Sequence, residues 1–250
     1  VSKISEALDK ADRERRKSEG EAAEKAGTGV TEPGPSLSAG TPNAVRRELG
    51  IMRNLVESQL PSRKSRSLLL TSATPEEGVS TITANFARAL AEDPLISVLV
   101  ADTYPENAVQ HSLFNLENRI GFVEFARGDA KLEEIIQSTE RANLCVVTSG
   151  VATGGMFQLA GTERVAAFVK SLQPRFNYLL FDAPPVLLYP ETSILGSHVD
   201  GVLLVVRALT TRREAIARAR DTLVKSGCNV IGVVLNRYKY SIPEFVYRRV

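Results

Sequence analysis

Ser67–Ala91 reads SLLLTSATPEEGVSTITANFARALA, an apolar run that breaks over Pro75 to Gly78 and resumes with helical spacing. This is the order of a strand, a turn and a helix that begins near Val79. Such turns hold phosphates because successive backbone N–H groups and the positive end of the helix converge on one point. The strict pattern closes with Gly-Lys-Ser/Thr, and its lysine reaches the terminal phosphates. Here the residues are Gly78-Val79-Ser80-Thr81. The loop is recognisable and its cation is missing.

Outward from this unit the chain alternates strand and helix. Leu68 to Ala73, Ser97 to Asp102, Leu144 to Thr148, Tyr178 to Asp182, Gly201 to Arg207 and Val230 to Asn236 read as strands. Val79 to Glu92, Lys131 to Ser138, Met156 to Leu172 and Thr210 to Ser226 read as helices. Fully apolar strands between amphipathic helices predict an α/β fold, a mostly parallel sheet with helices on both faces and right-handed crossovers. Ligands of such sheets sit beyond the carboxyl ends of the strands. The Pro75 to Thr81 loop, Asp102 and Asp182 all fall at such ends, so they form the candidate site.

The flanks differ in composition. Residues 1–19 carry Ile4, Ala7, Leu8 and Ala11 at helical spacing, with six basic and five acidic residues. This predicts a short amphipathic helix suited to protein docking more than to anionic lipid. Residues 20–42 hold five Gly and three Pro and read as a flexible linker. From Asn43 to Leu60, Val45, Leu49, Met52, Leu55 and Val56 restore a helical period, and residues 43–250 are read as one domain with a Tyr/Arg-rich tail.

A net charge of +2 excludes a general polyanion-binding character. No apolar run is long enough to span a bilayer and no signal peptide opens the chain, which predicts a cytoplasmic protein, peripheral at the inner membrane through a partner. Cys145 and Cys228 offer no metal spacing and are expected to be structural, as are His111 and His198.

Further stretches are distinctive: Asp102 followed by His111-Ser112-Leu113-Phe114, Leu179 to Pro185 (LLFDAPP), Val199 to Ala208 (VDGVLLVVRA), Gly232 to Arg237 (GVVLNR) and Gly121 to Ile136 (GFVEFARGDAKLEEII). With the loop they make Asn43 to Arg237 resemble the CpsD/CapB-like cytoplasmic P-loop domain of the bacterial tyrosine autokinases (BY-kinases) of capsule and exopolysaccharide production, relatives of the ParA and MinD ATPases. The family loop reads PGEGKST, so its lysine is Val79 here and its glycine Glu76. The second acidic motif, DAD-L-RRP, puts its first Asp on Asp102 and its second on Tyr104, with Glu106 and Asn107 where two arginines stand. The oligomerisation pattern E-x-x-R-x-x-R meets Arg46, Leu49 and Met52. Val151 to Phe157 departs from the Pro-Asn-Pro turn usual after Ser149.

The resemblance implies ATP and Mg2+ as cofactors. It implies a catalytic role for Asp102 and Asp182, metal ligation by Ser80, Asp102 and Asp182, and nucleotide contacts from Glu77, Gly78, Val79, Ser80, Thr81, Asn236 and Arg237. Tyr238, Tyr240 and Tyr247 stand where the family carries phosphoacceptor tyrosines; an aromatic segment folded on the sheet edge is the other reading of this tail. The implied partners are a membrane chain-length regulator (Wzz-like), an active kinase homologue or further copies of the chain, and not nucleic acid. Loss of the loop lysine removes about 4 kcal/mol of attraction to a phosphate about 4 Å away at an effective dielectric near 20. The leading expectation is therefore a kinase-like protein with weak or no ATP turnover. The alternatives are a working tyrosine autokinase rescued by a cation from elsewhere, such as a partner's arginine, Lys64 or Arg66, or a MinD/ParA-like positioning ATPase.

Overall fold

The computed structural model describes residues 43–60, 63–151 and 162–237. The expected N-terminal helix and linker, the segment after Val151 and the tail tyrosines lie outside these. The described residues build a seven-stranded sheet in the order β3-β4-β2-β5-β1-β6-β7. The strands are β1 (Arg66–Ser72), β2 (Val98–Asp102), β3 (Ile136–Ser138), β4 (Leu144–Val147), β5 (Tyr178–Asp182), β6 (Gly201–Arg207) and β7 (Val230–Asn236). All neighbours are parallel except β3 with β4.

Helices α1 (Asn43–Gln59) and α2 (Val79–Leu90) cover one face. There Leu49, Met52 and Val56 of α1 and Phe86 and Leu90 of α2 pack on Leu68, Leu70, Val98, Val100 and Leu180. Helices α6 (Thr162–Leu172) and α8 (Arg213–Lys225) cover the other, where Phe168, Leu172, Ala219 and Leu223 meet Leu69, Leu99, Leu179 and Phe181. Successive leucines of β1 thus enter opposite cores, as the two-residue period of a strand requires. Each fully buried leucine contributes about 1.5–3 kcal/mol.

Short helices α3 (Gln110–Leu113), α4 (Phe122–Arg127), α5 (Leu132–Ile135) and α7 (Thr192–Gly196) fill the connections. One expectation is corrected. Lys131 to Ser138 is not one helix: α5 ends at Ile135, and Ile136–Ser138 turns back as β3 to pair with Cys145 to Val147. Pairing there satisfies backbone groups along the edge of β4 that a longer helix would leave open.

Candidate functional site

The loop and both strand-end aspartates converge as the sequence predicts, at the carboxyl ends of β1, β2 and β5. Gly78 caps α2 with φ +89 and, as a glycine, offers no side-chain cap to its first turn. A Cβ on Gly78 would lie 2.1 Å from Asn236 Nδ2, so β7 and the loop approach through the missing side chain. That Asn236 amide donates to the Glu77 carbonyl at 2.8 Å.

Glu77, 2% exposed, turns its carboxylate into the loop's own interior. It accepts from the Ala73 N–H at 3.1 Å, the Thr74 hydroxyl at 2.8 Å and the Thr211 hydroxyl at 2.6 Å. The side chain is spent on holding the loop. Thr211, which the sequence reading missed, ties the β6–α8 connection to it.

The position of the loop cation is apolar. Val79 is 8% exposed and belongs to the core under α2. Glu76 is exposed and adopts φ +62, a left-handed conformation that favours glycine. The two rescuers expected from this chain, Arg66 and Lys64, lie at the wrong end of the sheet. Arg66 opens β1, at the strand end opposite the loop, and lies over the Tyr178 ring at 5.8 Å. Lys64 precedes it, and its carbonyl accepts from Asn177. Seven strand residues span roughly 20 Å.

Asp102 and Asp182 are in-register neighbours on β2 and β5, and both are buried. Asp102 accepts from the backbone N–H groups of Tyr104 at 3.1 Å, Val109 at 3.2 Å and Gln110 at 3.1 Å. It thereby binds its own following loop and the start of α3. Asp182 accepts from the Ser80 hydroxyl and, at 2.7 Å, from Gln110 Nε2. The same amide nitrogen donates to the Ser80 carbonyl at 3.0 Å. Burial pushes both carboxyls above the usual range; the facing Asp182 charge adds to the effect on Asp102, and the hydrogen bonds oppose it.

Tyr104 stands where the resemblance expects a second aspartate. Its ring meets Tyr189 edge-on at 5.3 Å, with a hydrogen bond between the side chains, and burial pushes its hydroxyl pKa upward. No carboxylate occupies that position to take a proton.

Ser80, Asp102 and Asp182 form a hard-oxygen set of the kind Mg2+ prefers. In this arrangement they do not fit a divalent cation: the Gln110 amide holds Asp182, and three backbone amides hold Asp102. Among the described residues no group of three or more His, Cys, Asp or Glu is placed to bind a metal. Gln110, like Thr211, is a site residue that sequence reasoning missed; its type carries no signal, and only its place just before His111 pointed to this region.

Arg46, Leu49 and Met52 face their own domain. Arg46 pairs with Glu92 at 2.5 Å, and Leu49 and Met52 are 6% and 7% exposed. A cleft of about 640 Å3 lies away from the loop, lined by Arg46, Arg88, Phe114 and Arg141 among others. Cys145 is half-buried and Cys228 buried, and both are free thiols. No described helix is long and apolar enough to cross a membrane.

No family model matches the chain. It is 28% identical over 190 residues to the tyrosine-protein kinase YwqD of Bacillus subtilis (strain 168), covering 76% of this chain and 80% of the relative. The kinase domain of the Escherichia coli tyrosine kinase ETK shares the fold, with a TM-score of 0.72 at 21% identity over 79% of each chain. The septum site-determining protein MinD of Pyrococcus horikoshii OT3, solved with Mg-ADP, follows at a TM-score of 0.61 and 25% identity, over 74% of this chain and 76% of that one. By loop, strand-end motifs, fold and relatives together, the chain is a tyrosine-kinase-like P-loop protein, related to the bacterial tyrosine kinases that its sequence resembles.

Proposed function

We propose that this protein serves exopolysaccharide or capsule production through protein contacts, as a kinase-like P-loop protein with weak or no ATP turnover. The observation that carries the reading is the loop itself, with a core-packed valine at the lysine position and an exposed glutamate two residues before Gly78. Phosphoryl transfer depends on positioning and on neutralising charge at the transferring group. This loop supplies a helix N-terminus and no cation, and Glu76 adds a charge of the wrong sign. The role of Tyr104 points the same way. The partner is a membrane chain-length regulator (Wzz-like) or an active kinase homologue, bound at the inner membrane face.

Calorimetry with Mg-ATP tests the reading: weak or absent binding supports it, and micromolar affinity together with phosphotyrosine on the purified chain overturns it. The surviving convergence of Ser80, Asp102 and Asp182 favours one competing reading, a working autokinase. In that case phosphotyrosine appears on Tyr238, Tyr240 or Tyr247 and disappears in Asp182→Ala.

A further inference from the structure

We infer that the Gln110 carboxamide is a built-in substitute for a divalent cation, locking the two-aspartate site shut. Two buried carboxylates end adjacent parallel strands in register, Asp102 beside Asp182, an arrangement that calls for positive charge between or around them. In this chain the positive ends of dipoles provide it, and nearly all come from one short stretch. The backbone N–H groups of Tyr104, Val109 and Gln110 surround Asp102. The Gln110 side chain then reaches across to Asp182 Oδ2 at 2.7 Å and to the Ser80 carbonyl at 3.0 Å. It thus ties β5 to the first turn of α2, the two elements a cation bound by Ser80 and Asp182 would join.

The other half of the amide shows what the residue is there for. Gln110 is fully buried, and its Oε1 has no hydrogen-bond partner. A side chain retained only to fill space would be apolar, since a methionine or leucine has similar bulk and strands no oxygen. The amide orientation is also unambiguous, because both of its close partners are acceptors and only the NH2 end can face them. The site therefore tolerates an unsatisfied oxygen in order to keep two N–H donors on Asp182 and Ser80. As a neutral group on the protein's own chain, Gln110 is always present and needs no dissolved ion, so the P-loop fold stays closed and independent of metal.

This rests on the reading that the site no longer serves phosphoryl transfer, but it is tested with metal alone and no nucleotide. Gln110→Glu replaces the two donors with a third carboxylate on the same oxygens. The expected result is a variant less stable than the parent in EDTA, whose melting temperature recovers with MgCl2. It should bind Mn2+, followed by electron paramagnetic resonance, about ten-fold or more tightly than the parent. The parent itself should melt at the same temperature in EDTA and in MgCl2. Equal Mn2+ affinity in parent and variant, or a variant indifferent to metal, overturns the inference even if ATP turnover proves absent. Should Gln110→Glu fail to fold, Gln110→Ala decides: tighter Mn2+ binding than the parent sustains the inference, and unchanged binding overturns it. Micromolar Mg-ATP binding by the parent would overturn the functional reading instead, so the two failures are distinguishable.

Discussion

Asp102 and Asp182 sit side by side at the ends of β2 and β5, both closed off from solvent, each satisfied by donors from the stretch between Tyr104 and Gln110 or from Ser80. Both carboxyls are held above the ordinary value of 3.8, Asp102 to about 8, chiefly by burial. A group whose folded pKa is raised contributes stability that is complete below the unfolded pKa and is lost as pH rises through the folded one. The pair should therefore cost stability between about pH 4 and pH 8 as it ionises. Asp182→Asn removes one charge and keeps an oxygen for the Gln110 amide. Denaturant unfolding across this range should give a flatter profile for the variant, with a gain of about 1–3 kcal/mol over the parent at the alkaline end. Parallel profiles would show that the pair does not titrate as described.

Glu77 organises the loop from inside through three donors to its carboxylate. Glu77→Ala leaves the Ala73 N–H and two threonine hydroxyls without their acceptor. A loss of about 2–4 kcal/mol is expected, since hydrogen bonds to buried charges are the strong ones. Thermal melts of Glu77→Ala and Glu77→Gln should rank the alanine variant lower, because glutamine keeps one accepting oxygen.

Restoring the family loop should restore nucleotide binding. In Glu76→Gly/Val79→Lys a cation returns to the phosphate position and a residue free to adopt positive φ replaces one that is strained there. Mg-ATP affinity should rise by about ten-fold or more over the parent. Calorimetry that finds the double variant no better than the parent would place the block outside the loop, with Gln110 the next position to change.

Two of the three α1 residues at the family's oligomerisation positions, Leu49 and Met52, are core residues here, and Arg46 is an exposed partner of Glu92. Met52→Arg, which moves the sequence toward the family pattern, buries a guanidinium against Val56 and Leu68 of the same apolar cluster. It should destabilise the protein by about 3 kcal/mol or more and create no larger assembly. Sedimentation alongside a denaturant curve separates the two effects; an intact, larger particle would contradict the assignment of this face to the interior.

Most of the sheet was legible in the chain. The apolar runs that became β1, β2, β4, β5 and β6 are too uniformly hydrophobic for one-sided burial, and the amphipathic stretches between them show the layers that cover both faces; β7 has the same apolar run but lies at the sheet edge, with Val233 and Leu235 49% and 60% exposed. The edge strand β3 was not, because three residues carry no period and their pairing depends on β4 being within reach. Thr211 and Tyr189 were invisible for the same reason: each acts on a residue far away in the sequence, Glu77 and Tyr104.

Val79, Glu76 and Tyr104 are changes of residue type, so a phosphate-loop fold without the loop's cation is legible before any coordinates. What occupies the site instead depends on how the chain folds. Arg66, two residues before the apolar run, proved to lie at the far end of β1, while Gln110, thirty residues from Ser80, came within 3.0 Å of its carbonyl. The reason is physical: residue type sets which charges and donors exist, but a carboxylate's partners are chosen by strand register and loop closure, which bring together groups that sequence separation keeps apart.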